Sequence, residues 1–188
     1  MTKNQDSYYL IIDLEATCAE DKSLPSDEME IIEIGAVMLN SKTWEIESEF
    51  QQFVKPIRHP LLTEFCHKLT TITQSDVDKS PKFPEAMIHL TDWMKEYPRN
   101  TFCSWGNYDK KQFQQDCNYH QIDYPFGASH VNIKEKFSEF LGVSRGYGMA
   151  KALEYLGLEL KGTHHRGIDD AHNIAKIFRH IKTTKKSL

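Results

Sequence analysis

The sequence predicts an α/β domain whose five-stranded mixed sheet joins an antiparallel meander to parallel strands and is flanked by helices. Three observations predict it. An apolar run near the N-terminus reads as a strand buried on both faces. Two more strand-like runs follow, joined by a short polar turn. From about residue 84 onward, segments with helical spacing alternate with short strand-like ones.

The elements follow in chain order. Tyr8 to Leu14 (YYLIIDL) is the first strand, and its lack of polar alternation marks cover on both faces. Ile31 to Leu39 (IIEIGAVML) and Trp44 to Val54 are the second and third, with Asn40-Ser41-Lys42 as turn material for a hairpin between them. Pro84 to Tyr97 gathers Ala86, Leu90, Trp93, Met94 and Tyr97 on one side and so reads as a helix. Thr101 to Trp105 is a strand and Asp109 to His120 a helix. His130 to Ile133 is a short strand that leads into a helix at Lys134 to Leu141. Gly148 to Leu156 is a compact helix stopped by Gly157. Ile168 to Ile181 is the clearest helix, with Ala171, Ile174, Ala175, Phe178 and Ile181 as its apolar stripe.

No repeat, low-complexity tract or Gly/Ser/Pro linker divides the 188 residues. One domain over 1–188 is expected, with an ordered core at about 8–181 and a basic tail at 182–188 containing Lys182, Lys185 and Lys186. Hydrophobic residues make up 39% and charged residues 27%, the balance of a soluble globular chain. No apolar run approaches the roughly 18 residues of a membrane span, and MTKNQDSYYLII lacks the pattern of a signal peptide. A cytoplasmic location with no membrane partner is the expectation. Cys18, Cys66, Cys103 and Cys117 are widely spaced with no CxxC pair, which predicts reduced thiols. The net charge of −4 argues against a broad, sequence-independent phosphate grip. It is compatible with a small pocket whose acids hold cations and thereby present positive charge to a phosphate.

Three places concentrate chemistry. Asp13 and Glu15 are two apart on a strand and project from the same face. Two bare carboxylates at the end of an apolar strand are either solvated there or held by hard divalent cations. Asp109, in SWGNYD, follows a strand and opens a helix, where a helix cap and a metal ligand are both open readings. Thr163 to Asp170 (THHRGIDD) carries two histidines from a loop into a helix that starts with two acids. Capping by Asp169 with a surface histidine pair is the bland alternative. Together the three places outline a two-metal hydrolase.

These segments, IIDLEATC, EIIEIGAV, SWGNYD and HHRGIDDAHNIA, resemble the successive motifs of the DEDDh 3′→5′ exonucleases (RNase T/DnaQ-like). EFQQFVKP, LTEFCHKLTTITQSDVD and FPEAMIHLTDWM resemble its Eri-type branch, which includes the enzyme that trims histone messenger RNA 3′ ends and bacterial KapD-type proteins. The likeness covers about residues 8 to 181. It implies an RNase H-like fold and a 3′→5′ exonuclease acting on RNA, with single-stranded DNA as a further polymer and a nucleoside 5′-monophosphate as product. It implies two Mg²⁺ or Mn²⁺ ions held by Asp13, Glu15, Asp109 and Asp170. Asp13 would serve both ions, Glu15 and Asp170 the one that carries the attacking water, and Asp109 the second. His165 matches the general base. Phe65 and Tyr108 match positions that stack on a terminal base, although a relative has tryptophan where Tyr108 stands. Ala16 and Thr17 would lie against the ribose.

His164 to Asp169 has the same spacing as His165 to Asp170, but the gap-free match to HxGxDD selects the second pair. Asp169 then caps the helix or supports the loop. The histidine disfavours the oligoribonuclease branch, which has tyrosine there. Lys110, Lys111, Arg145, Lys151, Lys161 and Arg166 could supply phosphate contacts, although solvated surface charge is the first reading of any one of them. A catalytically silent RNA-binding protein on the same fold and a DNA proofreading subunit are the competing readings.

Overall fold

A computed structural model describes residues 6–21 and 23–184. Lys185 and Lys186 of the expected tail lie outside the described residues, while Lys182 belongs to the last helix. The chain runs β1 (Tyr8–Ala16), β2 (Ile31–Asn40), β3 (Ile46–Phe53), α1 (Glu64–Thr70), α2 (Gln74–Asp78), α3 (Phe83–Met94), β4 (Asn100–Ser104), α4 (Tyr108–His120), β5 (His130–Asn132), α5 (Ile133–Leu141), α6 (Met149–Tyr155) and α7 (Gly167–Thr183). The five strands form one sheet in the order β3-β2-β1-β4-β5. β1 pairs antiparallel with β2, and β2 with β3; β1 pairs parallel with β4, and β4 with β5. This is the expected mixed sheet with helices on both faces.

The period of two along β1 divides its residues between two cores. Tyr8, Leu10, Ile12 and Leu14 join the core that also holds Phe83, Leu90 and Phe113 from α3 and α4. Tyr9 and Ile11 face the other core, with Phe137, Ala152, Ile174 and Phe178 from α5, α6 and α7. Asp13 and Glu15 continue this second row, and Leu39, Val37, Gly35 and Glu33 form the matching row on β2. One half of each row is therefore apolar and packs along α7, whereas the other half is polar and meets the start of α7.

The stripe of Ile174, Ile177 and Phe178 holds α7 to the sheet. Burying each such side chain contributes about 1.5–3 kcal/mol, well above the few tenths that separate helix propensities. Among the described residues, no helix is long and apolar enough to cross a membrane.

The structure departs from the sequence reading in three places. Helices α1 and α2 are additional, in a stretch left without elements. The third strand begins at Ile46 rather than Trp44, because Trp44 sits at φ 59 inside the turn. That turn is longer than Asn40–Lys42: the Asn40 side chain accepts from Lys42 and Thr43 N–H at 2.8 and 3.2 Å, and Trp44 N–H donates to the Asn40 carbonyl at 2.9 Å. The helix expected to end at Tyr97 ends at Met94, with Trp93, Met94 and Tyr97 still packed in or against the core.

Candidate active site

The site forms where β1 outruns β4. Their parallel pairing ends at Ile11 with Cys103, yet β1 continues to Ala16. Past that point the first turn of α4 takes the place of a strand neighbour. Asp109 Oδ1 accepts the Leu14 N–H at 3.1 Å, so Asp109 is fixed beside Asp13 and Glu15. The opening lies at the carboxyl ends of parallel strands, where sheets of this kind place their ligands.

Helix α7 brings the fourth acid. Its start lies almost on the sheet, and two glycines permit this. A Cβ on Gly35 would lie 2.0 Å from the Gly167 carbonyl carbon, and one on Gly167 would lie 2.9 Å from the Asp13 carbonyl oxygen. No side chain on α7 itself caps this end. Glu33 on β2, 0% exposed, does so from across the gap. It accepts from Gly167 N–H at 3.0 Å, from Arg166 Nε at 3.1 Å and from Gln51 Nε2 at 2.6 Å. An anionic acceptor at a helix N-terminus satisfies an orphan amide and opposes the helix dipole. Arg166 thereby pairs with Glu33.

The result is convergence of distant residues. Oxygens of Asp13, Glu15 and Asp170 lie within 4.8 Å of one another, and so do ligand atoms of His164, His165 and Asp170. Asp170 Oδ2 accepts from the His165 backbone N–H at 3.0 Å and bonds His164 Nδ1 at 2.9 Å. Its Oδ1 is buried with no partner. The two imidazoles stack at 4.0 Å between centroids, and His165 adopts φ 65 in the sharp turn that presents it. Asp169 is the loop support: its Oδ2 accepts the Thr163 N–H at 2.8 Å.

The electrostatics follow from crowding acids without cations. Burial, followed by Asp109, Asp170, Glu15 and Glu33, pushes the Asp13 carboxyl well above the usual range. Burial and then Asp170, Glu33 and Asp109 push Glu15 up to about 8. Burial raises Asp109 to about 6 against the pull of its own and Leu14's N–H groups and the Ser104 hydroxyl. Burial also raises Asp170, opposed by the N–H of His165 and by His164. His165 is lowered by burial and by His164, against the opposing pull of Asp170.

These acids open on a cleft of about 410 Å³ whose wall includes Asp13, Glu15, Ala16, Tyr108, Asp109, His164, His165 and Asp170. Among the described residues, no lysine or arginine belongs to that wall. Clustered carboxylates with no countercharge, one oxygen of them buried and unpartnered, fit a hard divalent cation.

Two expected substrate contacts are not part of the wall. Thr17 is buried because it closes the β1–β2 end, with Oγ1 accepting the Glu30 N–H at 2.9 Å. Phe65 is half-buried on α1, and the residue of that helix facing the cleft is Leu69, one turn on. The cleft also takes Trp105 and Met149, which the sequence reading did not single out. Nor did it single out Glu33, although an isolated acid inside the apolar run IIEIGAV was a readable sign of a buried partner.

The fold is RNase H-like, and its acid cluster is of a kind that fits divalent metal. The family of exonucleases of the RNase T type matches residues 10–178, and the chain belongs to that family. It is 39% identical over 183 residues to 3′-5′ exoribonuclease 1 of Homo sapiens, covering 92% of this chain and 52% of that protein. It is 33% identical over 180 residues to the probable 3′-5′ exonuclease KapD of Bacillus subtilis, covering 95% of this chain and 86% of that protein. Among solved structures, the nuclease domain of 3′hExo, a DEDDh family member bound to rAMP, superposes with a TM-score of 0.87. Identity there is 36%, with 95% of this chain and 93% of that one covered. The chain spans about half the length of 3′-5′ exoribonuclease 1 from Homo sapiens and Rattus norvegicus.

Proposed function

We propose that this chain is a divalent-metal-dependent 3′→5′ exonuclease that removes nucleoside 5′-monophosphates from RNA 3′ ends and accepts single-stranded DNA as a second polymer. The observation that carries the reading is the convergence of Asp13, Glu15, Asp109, Asp170 and His165 on one cleft from three separate segments of the chain. The names of the relatives support RNA as the first substrate.

Asp13, Glu15 and Asp170 would hold one Mg²⁺ or Mn²⁺, and Asp13 with Asp109 a second. When bound, such ions offset the charge on the phosphate and acidify the attacking water. The chain supplies the rest. His165, kept neutral near pH 7 by burial, accepts the water's proton at a ring nitrogen. Tyr108 and Leu69 offer apolar surface to the terminal base, and Ala16 lies where the ribose would pack. Aromatic stacking of this kind contributes about 1–3 kcal/mol per base.

The test uses 3′-labelled single-stranded RNA, single-stranded DNA and an RNA stem-loop, each with Mg²⁺, Mn²⁺ or EDTA. Stepwise shortening from the 3′ end with either metal and none in EDTA is expected, and Asp13→Ala abolishes it. Undiminished hydrolysis in EDTA, or RNA bound but never cut in Mn²⁺, would overturn the proposal.

A further inference from the structure

We infer that Cys18 and Cys66 form a reversible disulfide that ties the end of the catalytic strand to helix α1. All four cysteines are free in this structure. Cys103 and Cys117 are buried in separate cores, one on each face of the sheet. Cys18 and Cys66 instead meet in a third small cluster with Ile32, Ile72 and Val77.

Their surroundings hold them together. The Thr63 hydroxyl donates to the Cys18 carbonyl at 2.6 Å and accepts from the Cys66 N–H at 3.0 Å, so one side chain ties both backbones. The Cys66 thiol lies 3.7 Å from the carbonyl oxygen of Ala16, two residues before Cys18. The Cys18 side chain beside it draws the Cys66 thiol down to about 7 against the effect of burial, while the same pairing and burial push the Cys18 thiol well up. Their access differs. Cys18 is half-exposed and lines the active-site cleft, whereas Cys66 is 0% exposed beneath it.

Hydrogen peroxide is small enough to enter that cleft and is the oxidant. Access to the cleft, not acidity, selects Cys18 as the first thiol to react. The Cys18 sulfur attacks one peroxide oxygen: an S–O bond forms, the O–O bond breaks, and the other oxygen leaves as water with the thiol proton. Cys66, the more acidic thiol, then attacks the Cys18 sulfur. The S–S bond forms, the S–O bond breaks, and hydroxide leaves as water with the Cys66 proton. The two sulfurs together give up two electrons, and peroxide is reduced to two waters.

The bond has a structural consequence. A disulfide holds its sulfurs about 2.05 Å apart, nearer than two free thiols approach. Closing that gap draws the segment after Glu15 toward α1, which carries Leu69 of the cleft wall. A displacement near 1 Å at a catalytic carboxylate costs about 100-fold. This effect on turnover rests on the nuclease reading, while the bond itself does not.

The full chain is reduced, exposed to hydrogen peroxide, alkylated and read by intact mass and peptide mapping, with RNA hydrolysis measured in parallel. A peptide pair linking Cys18 to Cys66, lighter by two hydrogens, is expected, and Cys18→Ser lacks it. Turnover falls about tenfold or more and returns with dithiothreitol. The absence of that linked pair from the oxidised wild-type chain, or stepwise oxygen addition at Cys18 in its place, overturns the inference. A linked protein with unchanged turnover overturns the control of activity. Failure of the reduced protein to cut RNA counts against the nuclease reading alone, since mass still reads the bond.

Discussion

His165 and His164 occupy neighbouring positions with different attachments. His164 bonds the Asp170 carboxylate through Nδ1, while His165 touches that carboxylate only through its backbone N–H. The His165 ring is thus left for substrate water. Removing it should lower kcat by about 10²–10⁴ with little change in KM. His164→Ala should cost less, because Asp170 keeps its backbone donor. Equal losses in the two variants, measured on labelled RNA, would defeat the assignment of the base. A pH profile gives a second measure. Burial lowers the His165 pKa below 6.5, and an imidazole acts as base only when neutral. Activity should therefore be retained at pH 6.5 and fall only at lower pH. An acidic limb centred above 6.5 contradicts this.

Helix α7 owes its position to β2. Gly35 and Gly167 allow the approach, and Glu33 holds the helix start. A methyl group at Gly35 has no room 2.0 Å from the Gly167 carbonyl carbon, so Gly35→Ala should cost about 1–3 kcal/mol. Removing one partner of a buried ion pair costs about 3–5 kcal/mol. Arg166 keeps some exposure, which places Glu33→Ala near the lower bound. That corresponds to a fall in Tm of roughly 6–12 °C for a domain of this size, readable by calorimetry. Both variants should also lose turnover, because α7 carries Asp170. An unchanged Tm in Glu33→Ala would remove the capping role. At this scale the sequence was readable for long, periodic elements and unreadable for short ones. Helix α7 announces itself by its stripe. Helices α1 and α2, of 7 and 5 residues, are too short for a stripe, and hydroxyl caps at Thr63 and Thr73 start them.

The whole molecule carries a concentrated negative charge that folding must tolerate. The Glu15 pKa is raised from 4.5 to about 8, so the folded state binds a proton more tightly than the unfolded chain. Such a group favours folding fully below pH 4.5, and this contribution is lost as pH rises toward 8. Asp13, Asp109 and Asp170 are shifted in the same direction. Without metal, Tm should therefore decline between about pH 5 and 8, and Mg²⁺ should raise it more at pH 8 than at pH 6. A metal effect on Tm that is equal at both pH values, read by thermal shift with and without EDTA, would contradict this. Local rules of period, turn and motif order made the mixed sheet, its helices and the acid positions legible, because these depend on residues near one another in the chain. Asp13 and Glu15 show their shared face at a spacing of two. What folding alone decided was which acids meet, that Arg166 pairs with Glu33, and that Leu69 rather than Phe65 lines the cleft. Those outcomes depend on β1 outrunning β4 and on two glycines closing β2 against α7, contacts between segments far apart in the chain whose distance no local pattern encodes.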